Sequence, residues 1–279
     1  MLNITQKEYR DLDAISNSEL LLVERSPSDL IWSRNAPTDN TKQSALDYGT
    51  ALHAALLEPD TINNLVDVYT DTKTRETKAF QQYATENAGS GKLILLEAEW
   101  DKIRLSVDSA LAHPTFAKMI AEATHKEVSI VTELEEVKVK IRPDLLIVNN
   151  NSCIIGDVKT TASLSDWRES AMWKNPLFTH NYGHTAALYL DALSAHLGYQ
   201  INEYHFLVVS KAIEMGRYPV AVISVSREVL ERYGFFNRVY ANLARYAECK
   251  ASNNWVSYER FPLFPIADND IDISFEGEE

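Results

Sequence analysis

At 279 residues, with 45% hydrophobic side chains, the chain has enough apolar material for one large packed core or two small ones. A formal net charge of −13 excludes a basic protein that coats DNA non-specifically, and two cysteines, Cys153 and Cys249, exclude a disulfide framework, a four-thiolate zinc site and an iron–sulfur cluster. The start MLNITQKEYRDLDAIS has no apolar signal region and no internal apolar run reaches a membrane span, so a cytoplasmic location without a membrane partner is expected.

In chain order, ISNSELLLVE at residues 15 to 24 predicts a helix with Ser16 or Ser18 as its N-cap. A loop through Pro27 and Pro37 follows, and DYGTALHAALLEP then forms a second helix that stops before Pro59. From Asp60 to Gly91 the chain is polar and predicts a mobile excursion or a loosely packed helix. Residues 97 to 122 read as two helices broken at Pro114. HKEVSIVTEL, VKVKIRPDLLIV and SCIIGDVKTT are strand-like, and NNNS between the last two is a hairpin signal. A helix around residues 180 to 197 leads into two more strands, YHFLVVSK and YPVAVISVS. The last helix, about 227 to 250, carries Val229, Leu230, Tyr233, Phe236, Val239, Tyr240, Leu243 and Tyr246 at helical spacing. No repeat or linker divides this order, so residues 1–265 predict one α/β domain with a helical N-terminal part. Residues 266–279, IADNDIDISFEGEE, carry six acids and no base and predict a disordered acidic tail.

The segment with the most chemical content is Arg142 to Lys159, RPDLLIVNNNSCIIGDVK. Cutting a phosphodiester near neutral pH calls for a divalent cation on hard oxygen ligands, and Asp144 and Asp157 would supply two carboxylates. A strand alternates its side chains, so Lys159 shares the face of Asp157, where an ammonium can orient or deprotonate an attacking water and offset phosphorane charge. Val158 between them turns inward and leaves its backbone carbonyl free for a metal. The same three residues also fit a solvated sheet edge or a structural ion pair, so the pattern alone leaves two readings open. Lys138, Lys140 and Arg142 alternate toward Asp144 and form either a phosphate-binding track or the solvated outer face of a sheet.

The element order helix, three strands, helix, strand resembles the restriction-endonuclease-like core of PD-(D/E)XK nucleases, a mixed central sheet flanked by helices. Within that superfamily the chain resembles the RecE-type exonucleases, the catalytic domain of exonuclease VIII. The likeness runs from about Ile15 to Trp255 through ISNSELL, WSRNAPTDNTK with LDYGTALHAALLEP, IRPDLLI, GDVKTTA and IEMGRYPV in that order.

The resemblance implies a metal site of His53, from GTALH, with Asp144, Asp157 and the carbonyl of Val158, and a catalytic set of Asp144, Asp157, Lys159 and Tyr189. Without it, His53 on an apolar helix reads as a satisfied core residue. The family's Gln-x-x-x-Tyr element departs here, with Thr185 at the Gln position and Tyr189 at the Tyr; Thr185 is too short to reach as far toward a phosphate. His184 or His180 would compensate, or is a surface histidine without a role. Ser18, at a helix start, is a candidate for the 5′-phosphate or a simple cap, and Arg25, Arg34, Lys140, Arg142 and Thr185 are further DNA candidates. Trp173 and Phe178 would stack at a DNA end or pack in the core. The implied activity is a Mg²⁺-dependent exonuclease, Mn²⁺ also serving, that degrades linear double-stranded DNA 5′→3′ and leaves 3′ tails. A ring-shaped homo-oligomer, a tetramer, and a RecT-type single-strand annealing partner are implied with it. The rival expectations are an endonuclease of the same superfamily and an inactive DNA-binding or scaffold subunit.

Overall fold

Two asparagines between apolar runs set the centre of the molecule. A computed structural model describes residues 1–36, 43–168 and 171–257, and in it Asn149 pairs with Ser152 so that Asn150 and Asn151 close a hairpin. Residues 37–42, within the predicted loop at Pro37, and the predicted acidic tail at 266–279 lie outside the described residues.

The described helices are α1 (Gln6–Asp11), α2 (Asn17–Arg25), α3 (Pro27–Asn35), α4 (Gln43–Leu57), α5 (Ile62–Leu65), α6 (Lys78–Glu86), α7 (Glu97–Leu111), α8 (Pro114–Glu122), α9 (Pro176–Thr179), α10 (Tyr182–Leu197), α11 (Arg227–Arg232) and α12 (Phe235–Ser252). The strands are β1 (Val66–Tyr69), β2 (Leu93–Leu96), β3 (His125–Lys126), β4 (Ile130–Leu134), β5 (Val137–Ile141), β6 (Leu145–Asn149), β7 (Ser152–Thr161), β8 (Glu203–Ser210) and β9 (Val220–Ser226).

A five-stranded sheet has the order β3-β6-β7-β8-β9, with β7 and β8 parallel and the other pairs antiparallel. A parallel pair needs a crossover, and here it contains α9 and α10. Alternation along the strands feeds two cores. Tyr204, Phe206 and Val208 of β8, with Ile155 of β7, join the layer of α2, α10, α12 and the β4/β5 hairpin. Leu207, Val209 and Val158 join the layer of α4, α7 and α8. Helices on both faces bury a mixed sheet, the arrangement expected of a restriction-endonuclease-like core.

Local chemistry accounts for the places where the elements differ from the pattern in the sequence. Ser16, not Ser18, caps α2: its hydroxyl accepts from the Glu19 N–H, and the Glu19 carboxylate accepts from the Ser16 N–H at 2.9 Å. The loop expected at Pro27 is helix α3, because at the first helical position proline lacks only an N–H that would have no partner. The polar stretch from Asp60 to Gly91 contains β1 and α6, held by a buried Phe80 packed on Tyr69, with β1 parallel to β2. HKEVSIVTEL splits at Glu127, whose φ of 51° interrupts the extended backbone, and VKVKIRPDLLIV splits between β5 and β6 around Pro143. Gly234, at φ 74°, divides the last helix into α11 and α12. Among the described residues no helix is long and apolar enough to cross a membrane.

His184 of α10 is fully buried rather than a surface histidine, and it ties α10 to two other helices. Its Nδ1 lies 2.7 Å from Asn17 Oδ1 and its Nε2 lies 3.1 Å from Asn242 Nδ2, a pattern that suits a neutral ring donating from Nδ1 and accepting at Nε2. Burial, with the Arg238 charge adding, pushes its pKa down to about 4.

Two expected outcomes follow from this packing. Because the folded pKa of His184 lies below the 6.5 of a free ring, its contribution is intact above pH 6.5 and is lost as pH falls toward 4, by about 3 kcal/mol at most. Urea unfolding at pH 7 and pH 4.5 should therefore show a larger acid loss for the wild type than for His184→Gln, and equal losses would contradict this. A Cβ added at Gly183 would lie 2.3 Å from the Phe235 ring, so Gly183→Ala should cost about 1–3 kcal/mol in the same assay despite alanine's better helix propensity.

Candidate active site

The period of β7 places Asp157 and Lys159 on one face, with Val158 turned into the opposite core. Lys159 Nζ donates to Asp157 Oδ1 at 2.6 Å and lies 5.4 Å from the centre of the Tyr182 ring on α10. Asp157 is 5% exposed, and its second oxygen, Oδ2, is buried without a hydrogen-bond partner among the described residues, as is the hydroxyl of Tyr204 on β8, which interacts with this carboxylate.

Asp144 immediately precedes the neighbouring strand, β6. Gly156 opposes Leu145 in the antiparallel pair, and a Cβ on it would lie 2.7 Å from the leucine side chain, so the glycine lets β6 and β7 close up. Just beyond that pair, Asp144 Oδ2 accepts the Val158 N–H at 2.6 Å. Val158 thus meets Asp144 through its backbone N–H, a contact separate from the carbonyl that the resemblance offers to a metal.

His53 arrives from α4 in the other layer. Its Nε2 is 2.8 Å from Asp144 Oδ2 and its Nδ1 is 3.0 Å from Glu127 Oε1. Glu127 was not singled out in the sequence. It sits in the left-handed region at φ 51°, a conformation that costs a residue other than glycine about 1–3 kcal/mol, and its N–H donates to the Asp144 carbonyl at 3.0 Å. Donor atoms of His53, Glu127 and Asp144 lie within 4.8 Å of one another. Nothing in HKEVSIV marks a left-handed residue, so Glu127 could be found only from the fold.

The electrostatics follow from burying this much negative charge. Burial raises Asp144, but the His53 charge overrides it and holds the carboxyl low. Asp157 is pushed up to about 7 by burial, with Lys159 opposing and Asp144 adding to the rise. Burial would lower His53 and Lys159, yet the facing carboxylates win in both, raising His53 to about 9 and keeping Lys159 an ammonium. The carboxylates thus require positive charge between them.

That requirement is the test of whether a divalent cation fits. Carboxylates with an imidazole suit Mg²⁺ or Mn²⁺: the donor atoms that converge are those of His53, Glu127 and Asp144, and Asp157 Oδ2 is a further buried acceptor next to Asp144. The residues present fit.

The other candidates fall elsewhere. The Tyr189 hydroxyl lies 3.5 Å from the Arg142 N–H, at the limit of a hydrogen bond, and its ring packs against Tyr204. Thr185 accepts from Asn17 Nδ2 at 2.9 Å, so it joins α10 to α2. Ser18 is exposed, 3.2 Å from the Ser16 hydroxyl. Arg34 grips Glu19 through two nitrogens, and Arg25 pairs with Asp29 one turn on. Lys140 and Arg142 do not form an open basic track with Lys138. Lys140 is 4% exposed and donates to the Arg10 and Leu12 carbonyls at 2.8 and 3.0 Å, while Arg142 is taken by Glu127, the Ile4 carbonyl and Ser129. The N-terminal segment crosses this part of the hairpin and turns both cations inward. Phe178 packs on Tyr233 and Phe235, whereas Trp173 is 78% exposed.

No curated protein sequence matches the chain. A protein of solved structure from Eubacterium rectale, given as a candidate exonuclease, is similar over 98% of this chain and 97% of its own, at a TM-score of 0.64 and 16% identity, which speaks for the fold. An alkaline exonuclease from Laribacter hongkongensis, at 15% identity, aligns over 73% of this chain and 96% of its own, but with a TM-score of 0.28 it adds nothing to the argument. The model of one family, the PDDEXK-like domain of unknown function (DUF3799), matches residues 16–259, and the chain belongs to that family within the PD-(D/E)XK nuclease superfamily.

Proposed function

We propose that this member of a nuclease superfamily is a divalent-metal-dependent exonuclease that degrades linear double-stranded DNA 5′→3′ and leaves 3′ single-stranded tails for recombination by strand annealing. The observation that carries the metal-nuclease reading is the buried, unpartnered Asp157 Oδ2 next to Asp144, whose own Oδ2 meets His53, with Lys159 fixed on the other oxygen of Asp157. Polarity, duplex preference, a ring-shaped tetramer and a RecT-type annealing partner rest on the resemblance to RecE-type exonucleases. A closed ring would also place DNA inside an acidic exterior, in keeping with a net charge of −13.

In this reading Asp144, Asp157 and His53 hold Mg²⁺ or Mn²⁺. The cation, when bound, supplies Lewis-acid polarisation of the phosphate and a more acidic water. Lys159 stays charged under the pull of Asp157 and Asp144, so it acts as a fixed positive charge and hydrogen-bond donor to the attacking water and the phosphate. Tyr182 beneath the ammonium and Asp157 Oδ1 beside it limit where that charge can point. Val158 N–H holds one oxygen of Asp144, which keeps this carboxylate in register with Asp157. Tyr189 braces the backbone at Arg142, two residues before Asp144. Of the candidate DNA contacts, Ser18 is exposed at the start of α2, whereas Lys140 and Arg142 act within the protein.

The test uses linear duplex labelled at the 5′ or the 3′ end, incubated with Mg²⁺ and the wild type, Asp157→Ala or Lys159→Ala. The expected result is early release of 5′-labelled mononucleotide, with both substitutions lowering the rate by about 10²-fold or more. Covalently closed circular DNA should stay intact; cutting it would make the chain an endonuclease. Unchanged activity in Asp157→Ala would show that the site lies elsewhere, and a wild type that degrades nothing would favour a scaffold subunit.

A further inference from the structure

We infer that Glu127 is a positioning residue for the metal site: it fixes the tautomer and direction of His53, and Arg142 holds Glu127 in place for that task. The inference rests on the reading of His53 and Asp144 as cation ligands. An imidazole that binds a cation through Nε2 must carry its proton on Nδ1, and a carboxylate accepting from Nδ1 enforces that tautomer. Glu127 Oε1 is that acceptor, 3.0 Å from His53 Nδ1, and the opposite nitrogen is then aimed at Asp144 Oδ2, 2.8 Å away.

The rest of the local structure fixes the carboxylate. Glu127 Oε2 accepts from Arg142 Nε at 2.8 Å, and Arg142 Nη1 is anchored on the Ile4 carbonyl at 2.9 Å and the Ser129 hydroxyl at 2.8 Å. The Glu127 N–H is bonded to the carbonyl of Asp144 itself, so the residue that orients His53 is tied to the residue that His53 faces. The left-handed backbone at Glu127 is what lets one residue end β3, make that bond and send its side chain to His53. Both carboxylate oxygens are engaged by nitrogen donors, which suits an orienting group better than a ligand. Among the carboxylates of this site, the one with a buried, unpartnered oxygen is Asp157.

Mn²⁺ binding, followed by calorimetry and by the paramagnetic resonance of the free ion, separates these roles in the wild type, Glu127→Ala, His53→Ala and the double variant, with folding checked by circular dichroism. Acting through His53, Glu127→Ala should weaken Mn²⁺ about 10- to 100-fold in the wild-type background and less than about threefold where His53 is already alanine. Equal losses in both backgrounds would make Glu127 a ligand in its own right, and an unchanged affinity would remove any role; either overturns the inference. A measurement on the wild type alone covers an alanine variant that does not fold. With Mg²⁺ bound, the nitrogen shifts of His53 should report a proton on Nδ1, and a proton on Nε2 overturns the inference. If the wild type binds Mn²⁺ but cuts no DNA, the nuclease reading fails while the cycle still decides the role of Glu127; absence of Mn²⁺ binding overturns both.

Discussion

Two carboxylates buried side by side repel, and most of what surrounds Asp144 and Asp157 can be understood as the means by which this protein tolerates that pair. Asp157 takes the Lys159 ammonium on one oxygen. Asp144 takes a backbone N–H and the edge of His53 on the same oxygen. Even so, burial, with Asp144 adding to it, pushes Asp157 up against the pull of Lys159. Asp157 Oδ2 and the nearby Tyr204 hydroxyl are the buried polar atoms left without a partner here. A structural ion pair would be expected to satisfy its buried oxygens; a site kept one donor short is suited to binding something.

The fold delivers these groups from separate layers to one end of a strand pair. Asp157 and Lys159 come from the central strand β7, Asp144 from the position just before its neighbour β6, His53 from α4 on one face and Tyr182 from α10 on the other. Each arrives on a regular element or next to one, so its position is set by core packing. Gly156 is part of the same device, since a side chain there would push β6 away from β7 and with it Asp144. The N-terminal segment contributes at a distance: its carbonyls at Ile4, Arg10 and Leu12 bind Arg142 and Lys140 and convert a row of cations that looks like a DNA track into internal struts.

How much of this could be read in the sequence follows from how local each cause is. Period-two alternation puts Asp157 and Lys159 on one face whatever the fold, and the turn at Asn150 and Asn151 with the run SCIIGDVKTT defines β7 without further information. His53 needed the family likeness, because its helix shows only small and apolar neighbours. Glu127 was invisible, since its place depends on a left-handed backbone angle and on a hydrogen bond to Asp144, neither of which leaves a mark in HKEVSIV. The same holds for Lys140 and Arg142: alternation correctly groups them along a strand, but whether that face meets water or the protein's own N-terminus is a tertiary matter. His184 illustrates the point again, a polar side chain in an apolar helix whose partners Asn17 and Asn242 are distant in sequence.

At the centre stands a divalent cation held by Asp157, Asp144 and His53, in place of the proton that His53 carries between its carboxylates. Diffraction from crystals soaked in Mn²⁺, recorded where manganese scatters anomalously, locates such an ion directly. The account predicts an anomalous peak within coordination distance of Asp157 Oδ2, Asp144 and His53 Nε2. No peak there, or Asp157 Oδ2 occupied by a protein hydrogen-bond donor in the Mn²⁺-soaked crystal, would contradict it.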